Sequence, residues 1–181
     1  MKTNTLALTL TLSIGLLAPL AAQLEIKDTK GKHLDILSGE KVLVRYMYEH
    51  DISTDEKKHA TYKPYLHVFD AAGKAPITKG PGGQYTHHRG IFIGWSKLGF
   101  NGKSYDRWHM KDGAIVHQKF HEHKTRGNTA SITSVTQWND GGKKPILDEE
   151  RTMTVWTPEE GWARVVIFFN SKLTATYGDV A

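Results

Sequence analysis

Beyond residue 22 the chain consists of short segments in which apolar and polar residues alternate, with almost no helical period. Such alternation puts successive side chains on opposite faces of a β-strand. Many short strands separated by polar, glycine-containing turns are typical of an antiparallel sandwich or barrel. The sequence therefore predicts an all-β fold, an antiparallel β-sandwich. The predicted strands are 42–50, 65–69, 91–95, 115–123, 130–138, 147–156, 162–171 and 173–177.

Two tight turns and one long loop divide these strands. Asn-Asp-Gly-Gly at 139–142 is a strong hairpin signal, and Pro-Glu-Glu-Gly at 158–161 joins the next pair of strands. Residues 71–89 form the longest irregular segment and contain several glycines and prolines. A loop of this length in a compact domain is commonly functional or disordered. It leads directly into a run of two histidines and an arginine.

The two ends of the chain predict an exported protein that continues past the given sequence. A positive start, an apolar run over 6–20 and two small residues before position 23 form the pattern of a secretory signal peptide. We therefore expect residues 1–22 to be a signal peptide and residues 23–181 to form one β-sandwich domain, in the periplasm or outside the cell. The abrupt stop at Ala181, just after a new strand begins, predicts that this is the N-terminal part of a longer domain.

The composition narrows the compartment and the partners. The chain of 181 residues has no cysteine, so an exported domain of this kind has no disulfide framework and must depend on its hydrophobic core. The formal net charge is +5, but the lysines and arginines are scattered rather than clustered. Once the signal peptide is removed, no apolar stretch is long enough to span a membrane. We therefore expect neither a nucleic-acid partner nor an integral membrane segment.

Histidines concentrate in the middle of the chain. Six of the ten lie between residues 87 and 123, and they begin with His87-His88-Arg89. Imidazole titrates near neutral pH and serves as acid, base or metal ligand, and the guanidinium group binds anions and hydroxyls. We therefore predict that these three residues are catalytic and line a polar cleft, and the alternative is a histidine-rich surface. On an extended segment His87 and Arg89 would share a face, with His88 supporting them from the other.

A second polar segment at 105–109, Tyr-Asp-Arg-Trp-His, offers an aromatic face among hydrogen-bonding groups. This combination suits hydroxyl-rich ligands, so Asp106, Trp108 and His109 are predicted to bind substrate. His67 is a further substrate-binding candidate, provided that its strand neighbours the strand after the long loop. Most of the other tryptophans are expected in the core or against a sheet.

A histidine pair on the strand 115–123 is an alternative metal site. Strict alternation would place His117, Lys119, His121 and His123 on one face, where the last two could bind one ion. Lys119 on the same face would repel a cation. No metal ligand is therefore predicted, and the sequence points to no particular cofactor.

Glu149 and Arg151 share a face of one predicted strand. We expect a structural ion pair between them, since such pairs are common. The alternative is that Glu149 is a general acid or base.

Three motifs resemble one family of secreted bacterial proteins. Lys-Pro-Tyr-Leu-His at 63–67, His-His-Arg-Gly-Ile-Phe at 87–92 and Asp-Arg-Trp-His at 106–109 are similar to the PmoA-like family, the DUF6807 group. The resemblance covers most of residues 23–181 and implies a β-sandwich like the supersandwiches of sugar mutarotases and polysaccharide lyases. It also implies an association with glycan-degrading enzymes, and it brings no established activity. The site residues that the resemblance carries over are His67, His87, His88, Arg89 and Trp108.

Three functions compete. The first is a carbohydrate-active enzyme, a glycan epimerase, lyase or hydrolase, in which His87 or His88 transfers protons, Arg89 holds a hydroxyl or carboxylate, and Trp108 stacks on a sugar. The second is a non-catalytic glycan-binding module that uses the same cleft. The third is a His-ligated, metal-dependent oxidoreductase, as the family label suggests, built on His121, His123 and another histidine. We favour the first narrowly over the second.

Overall fold

The computed structural model describes residues 23–181, which form ten β-strands and one short helix. All strand pairings in this part are antiparallel, which confirms the predicted all-β fold. The predicted signal peptide, 1–22, lies outside the described residues. The elements are β1 (Leu24–Thr29), β2 (His33–Ser38), β3 (Lys41–Met47), α1 (Asp55–Ala60), β4 (Tyr65–Val68), β5 (Leu98–Phe100), β6 (Lys103–Tyr105), β7 (Ala114–Arg126), β8 (Thr129–Asn139), β9 (Pro145–Trp156) and β10 (Val166–Thr174).

The first sheet has the strand order β1-β2-β3-β4. Its first two turns each contain a glycine with positive φ, Gly31 at 76° and Gly39 at 58°. Glycine adopts this left-handed conformation without the steric penalty that a Cβ imposes. The strands bury side chains such as Leu34, Ile36 and Tyr46, which are 0% exposed. One face of this sheet is therefore apolar and must be covered.

The second sheet, in the order β10-β9-β8-β7, covers that face. It is a chain of long hairpins, and both predicted turns, 139–142 and 158–161, join its strands. In the first of them Asp140 accepts a hydrogen bond from the Lys144 amide at 2.7 Å. Alternate residues of β8 are buried, as the period-two pattern predicts.

One hydrophobic core joins the two sheets. Its apolar members come from β1 to β4 on one side and from β8 and β9 on the other. Tyr46 crosses the interface, and its hydroxyl lies 3.1 Å from the Ser134 hydroxyl. Truncating a core leucine of this kind costs about 2–5 kcal/mol of stability. The buried core residues are Leu24, Leu34, Ile36, Leu43, Val44, Tyr46, Tyr48, Leu66, Ala130, Ile132, Met153 and Val155.

A second, smaller cluster lies at the end of the long hairpins, where the β5–β6 hairpin packs. Trp138 is its largest member and is 0% exposed. The remaining tryptophans were expected in the core or against a sheet, apart from Trp108. Trp95 is 40% exposed but packs against Trp138 at 5.2 Å, and Trp162 is 68% exposed. Trp108 is 36% exposed, in keeping with its predicted place in a site.

Some strand predictions were wrong. Residues 91–95 form no strand, and only Ile91 makes a single bridge with Leu66. The separate strand predicted at 173–177 does not exist, because β10 simply continues to Thr174. Sequence patterns also missed β1, β2, the short β5–β6 hairpin and α1.

The prediction that His117, Lys119, His121 and His123 share one face is also wrong. The register between β7 and β8 shifts at two places, between His117 and Lys119 and again between Phe120 and Glu122. Each irregularity adds an unpaired residue and reverses the alternation. His121 therefore reaches Glu150 on the exposed face at 3.2 Å, whereas the His123 ring packs against Phe120 at 4.8 Å. The two histidines do not form the proposed metal pair.

The predicted ion pair between Glu149 and Arg151 is present, and both side chains are 0% exposed. Arg151 contacts both carboxylate oxygens, from Nε at 2.9 Å and from Nη2 at 2.8 Å. Burial alone would raise the pKa of Glu149, but Arg151 and the surrounding donors hold it below its usual value. The pair therefore stays ionised inside the sandwich. Its other hydrogen-bond partners are Thr136, Trp138, Ser171 and the Pro64 carbonyl.

His117 makes the stability of this core depend on pH. Burial lowers the pKa of His117 from 6.5 to about 4, and its ring lies 4.7 Å from Tyr48 and 4.2 Å from Phe120. The folded protein keeps this imidazole neutral, so the unfolded chain binds the extra proton once the pH falls below about 6.5. Stability is thus lost as the pH falls from about 6.5 to about 4, by about 1–2 kcal/mol once solvent screening is allowed for.

The check is chemical denaturation of the wild type and of His117→Gln between pH 4 and pH 7. Glutamine cannot titrate, so the difference between the two unfolding free energies should change across this range. Parallel curves would show that His117 does not contribute.

No helix within residues 23–181 has both the length and the apolar character needed to span a membrane.

Candidate functional site: a histidine cleft

Two loops distant in sequence bring five predicted site residues together. The His87 ring lies 4.3 Å from the His88 ring and 4.8 Å from the His109 ring. His88 in turn lies edge-on to Trp108 at 6.1 Å. Asp106 is bonded to His109 from the same loop. We call these five residues, His87, His88, Asp106, Trp108 and His109, the histidine cleft.

The first loop is held in place by a two-residue bridge to β4. Leu66 and Ile91 exchange backbone hydrogen bonds of 2.9 and 2.8 Å. Gly90 makes this approach possible, because a Cβ there would collide with the Leu66 carbonyl oxygen. The apolar segment after Arg89 thus anchors the histidines as expected, but through one bridge rather than a strand.

Replacing Gly90 by alanine should therefore disturb the cleft. The added methyl meets backbone rather than a flexible side chain, so the bridge must open, and we expect a loss of about 1–3 kcal/mol. Gly161→Ala is the matched control, since a Cβ there meets no atom within 4 Å. Thermal unfolding of both variants checks the prediction. Equal melting temperatures would contradict it.

The second loop is a turn held by its own polar groups. The amides of Arg107 and Trp108 both donate to the Trp95 carbonyl, at 2.8 and 2.9 Å. The Asp106 carboxylate accepts from the His109 amide at 2.8 Å, a local bond of the kind that makes Asp favourable at turns. This turn presents Trp108 and His109 side by side.

Asp106 orients His109. Its second oxygen lies 2.8 Å from Nδ1 of His109, whose side chain is 46% exposed. Partial burial works to raise the pKa of Asp106, but the bonds from the His109 amide and ring lower it overall. Asp106 is therefore ionised, and its carboxylate accepts the hydrogen bond of His109 Nδ1. Nε2 is then the nitrogen that can exchange a proton with a ligand.

His87 differs from His109 in its surroundings. Desolvation, and then the positive charges of His88, His109 and Lys63, lower the pKa of His87. A histidine with a lowered pKa is neutral at neutral pH and can accept a proton. The cleft therefore holds imidazoles in two distinct environments.

Lys63 lies beneath the cleft, and sequence reasoning missed it as a site residue. It is 2% exposed, and its Nζ donates to the Trp108 carbonyl at 3.0 Å and lies 3.6 Å from the centre of the Phe92 ring. Burial, followed by the charge of Arg89, lowers the pKa of Lys63 to about 7. Its place at the start of the Lys-Pro-Tyr motif was the available signal, but lysine is almost never buried, so the sequence alone favours exposure.

Arg89 does not sit where alternation predicted. His87 and His88 both line the cleft, because residues 85–88 form a turn rather than an extended strand. The Arg89 guanidinium points inward instead, donating to the His59 carbonyl at 3.2 Å and to Met110 Sδ at 3.7 Å. Its Nη1 is buried without a partner.

His67 lies apart from the cleft. Its strand neighbours Ile91, as the prediction required, but its Nδ1 bonds Thr78 Oγ1 at 2.9 Å. Its ring packs edge-on against Tyr65 at 4.9 Å. These contacts place His67 under the loop after β4 rather than beside His87.

A surface pocket of about 430 Å³ opens between the two loops. It is wide enough for a monosaccharide unit or two, because ligand pockets typically start near 300 Å³. Within residues 23–181 no group of three or more His, Asp or Glu side chains is arranged to hold a metal ion. The residues that line the pocket are His88, Arg89, Gly90, Ile91, Phe92 and Trp108.

Comparison with known proteins identifies the family but no activity. The sequence model of DUF6807, a family of unknown function, matches residues 33–181. Neither a curated protein nor a solved structure matches the chain. The chain belongs to the DUF6807 family.

Proposed function

We propose that this DUF6807 protein is a carbohydrate-active enzyme whose histidine cleft binds a sugar and transfers a proton to or from it. The reaction classes that fit are glycan epimerase, lyase and hydrolase. The observation that carries the proposal is the Asp106–His109 pair, which belongs to the same turn as Trp108, a partly exposed residue that lines the pocket. A carboxylate on Nδ1 fixes the tautomer and the orientation of the imidazole, so the opposite nitrogen is the one that exchanges a proton with a ligand.

Trp108 supports the binding part of the proposal. Its indole is 36% exposed, and Phe92 packs against it at 5.1 Å, so one part is held and another is open to a ligand. Flat aromatic faces accept the apolar C–H face of a sugar, while neighbouring polar groups bond its hydroxyls. His88 is near enough to supply such a bond.

The proton-transfer part rests on the two environments of the imidazoles. His109, oriented by Asp106, acts as the general base. His88 then donates a proton to the other face of the substrate or to a leaving oxygen, and His109 releases the proton that it has taken up to solvent. Enzymes commonly assign acid and base roles to neighbouring groups by giving them different surroundings.

A non-catalytic glycan-binding module is the second candidate, and one observation favours it. The His109 side chain is 46% exposed and Trp108 is 36% exposed, so water reaches the cleft freely. Many enzymes exclude water during the reaction, whereas binding modules do not need to.

The test is a panel of neutral and acidic polysaccharides, assayed for both binding and product formation with wild type, His109→Ala and Trp108→Ala. Turnover that His109→Ala removes while binding persists supports the enzyme. Binding without turnover supports the module. The absence of both binding and turnover across the whole panel would refute the proposal.

We also propose that the protein is exported and cleaved after Ala22, which the apolar run and the small residues before Gln23 support. N-terminal sequencing of protein from a bacterial periplasmic fraction should begin at Gln23. Protein that retains Met1 in that fraction would contradict the proposal.

A further inference from the structure

Lys63 connects the two loops that form the histidine cleft. It is 2% exposed and lies between α1 and β4. Its Nζ donates to the Trp108 carbonyl in the second loop at 3.0 Å and lies 3.6 Å from the centre of the Phe92 ring in the first. The Phe92 and Trp108 rings lie 5.1 Å apart, and both line the pocket. The ammonium group therefore contacts two of the lining residues from behind, and the peptide that it holds is the one that Trp108 shares with His109.

The backbone on both sides of Lys63 is fixed to the second sheet. The Tyr62 carbonyl accepts a hydrogen bond from the Ile115 amide of β7 at 3.0 Å. The Pro64 carbonyl accepts one from Arg151 Nη1 of β9 at 3.1 Å. Tyr62 and Pro64 are both buried, as Lys63 is. Lys63 thus reaches the two loops from a rigid part of the sandwich, which is where a residue that supports a site is most effective.

The contact with Phe92 depends on the charge of Lys63. A positive charge over the face of an aromatic ring is attracted by the ring electrons, and the attraction is strongest where water is excluded. The hydrogen bond to the Trp108 carbonyl is also stronger from an ammonium group than from a neutral amine. A neutral Lys63 would keep its volume but would lose the first interaction and weaken the second. The hold on both aromatic residues therefore follows the protonation of this one amine.

The charge of Lys63 changes near neutral pH. Burial, followed by the charge of Arg89, lowers the pKa of Lys63 to about 7, and Asp106 acts in the opposite direction. The other titratable groups near it are His87 in the first loop and His59 of α1, and burial is the main cause that lowers the pKa of each below 6.5. Above pH 6.5 both histidines are therefore mostly neutral, while Asp106 stays ionised and Arg89 stays charged. Lys63 is the group of this set whose charge then changes.

We infer, on the basis of the proposed carbohydrate function, that Lys63 is the positioning residue of the sugar site: its ammonium group holds Trp108 and Phe92 in the arrangement that receives the ligand. The sugar does not touch Lys63 but binds the aromatic surface that Lys63 supports from behind. The site is then better ordered when Lys63 is charged. Binding of a sugar should weaken as the pH rises through about 7, because Lys63 loses its proton there.

The first test uses the ligand-free protein. The NMR resonances of the Trp108 indole and the Phe92 ring are followed between pH 6.5 and pH 9. In the wild type we expect both to shift with a midpoint near pH 7, and in Lys63→Met we expect no such step. Lys63→Arg stays charged, so its resonances should remain constant over this range. Lys119→Met, which removes an exposed lysine of β7, is the control and should titrate as the wild type does.

The second test is binding of a neutral probe, the methyl esters of galacturonate oligomers, measured by titration calorimetry at pH 6.5 and pH 8. The charge of this probe does not change with pH. We expect the wild type to bind it at least about threefold more tightly at pH 6.5, since the attraction between Lys63 and Phe92 is present there. Lys63→Met should lack this difference. The cleft histidines are the same in both proteins, so the difference between the two belongs to Lys63.

The outcomes separate the positioning role from the proposed function. A Trp108 resonance that does not move with pH, or that moves equally in the folded Lys63→Met protein, overturns the positioning role whether or not a sugar binds. The wild-type titration decides this even if Lys63→Met does not fold. Binding that changes equally with pH in both proteins overturns the positioning role and leaves the proposed function intact. Absence of binding at both pH values overturns both.

Discussion

Arg151→Met is expected to lower the free energy of unfolding by about 3–5 kcal/mol. The substitution keeps an unbranched apolar stem but removes the guanidinium group, and it leaves Glu149 as an unpaired carboxylate that is 0% exposed. It also removes the hydrogen bond that Arg151 Nη1 donates to the carbonyl of Pro64, the residue after Lys63. Urea or guanidinium unfolding at pH 7 measures the change.

Two further variants separate this effect from a general effect of losing an arginine. Arg126→Met removes an exposed arginine of β7 that takes part in no ion pair among residues 23–181, so we expect a loss of about 0.5 kcal/mol or less. Adding Glu149→Gln to Arg151→Met removes the stranded charge and should restore part of the stability. A loss for Arg151→Met no larger than that for Arg126→Met would show that the buried pair is not a major stabilising element.

His109→Ala is expected to lower the rate of sugar turnover by about 10²–10⁴-fold, the usual contribution of a general base. Binding should persist, since Trp108 and the pocket walls remain. Asp106→Asn keeps the shape of the turn but weakens the hydrogen bond to Nδ1 of His109. The rate of sugar turnover should therefore fall by at least about tenfold. Steady-state kinetics on whichever glycan the wild type converts gives both values.

His121→Ala is the control for these rates. It removes an imidazole that is 44% exposed and paired with Glu150 on the far sheet, so turnover should stay at the wild-type value. Thermal unfolding shows whether each variant is folded. A folded His109→Ala protein with wild-type turnover would exclude His109 as the base.

The strands were predictable where each one carries its own periodic signal. Along most of β8 and β9, buried residues alternate with more exposed ones, and the Asn-Asp-Gly-Gly sequence marks the turn between them, so the local sequence is sufficient to predict these elements. In β7 two register irregularities reverse the alternation, and nothing in the local pattern of polar histidines and lysines marks them. For this reason the alternative metal site, in which His121 and His123 share a strand face, does not form.

The candidate site was predictable in its residues but not in its geometry. Polar loop residues flanking tryptophan indicated a cleft, and the structure brings His87, His88 and His109 together. The inward turn of Arg89 and the burial of Lys63 depend on how the two loops pack, which no periodic pattern encodes. Contacts between residues that are tens of positions apart in the sequence can be predicted only when the fold is known.

The proposed function requires that the histidine cleft bind a carbohydrate. Titration of the full chain with galacturonate oligomers and their methyl esters, followed by the NMR resonances of its imidazoles and indoles, measures this binding residue by residue. We expect shifts for His87, His88, His109 and Trp108, with the distant His121 resonance unchanged. Shifts confined to histidines outside the cleft, or no shift with any oligomer, would contradict the proposed function.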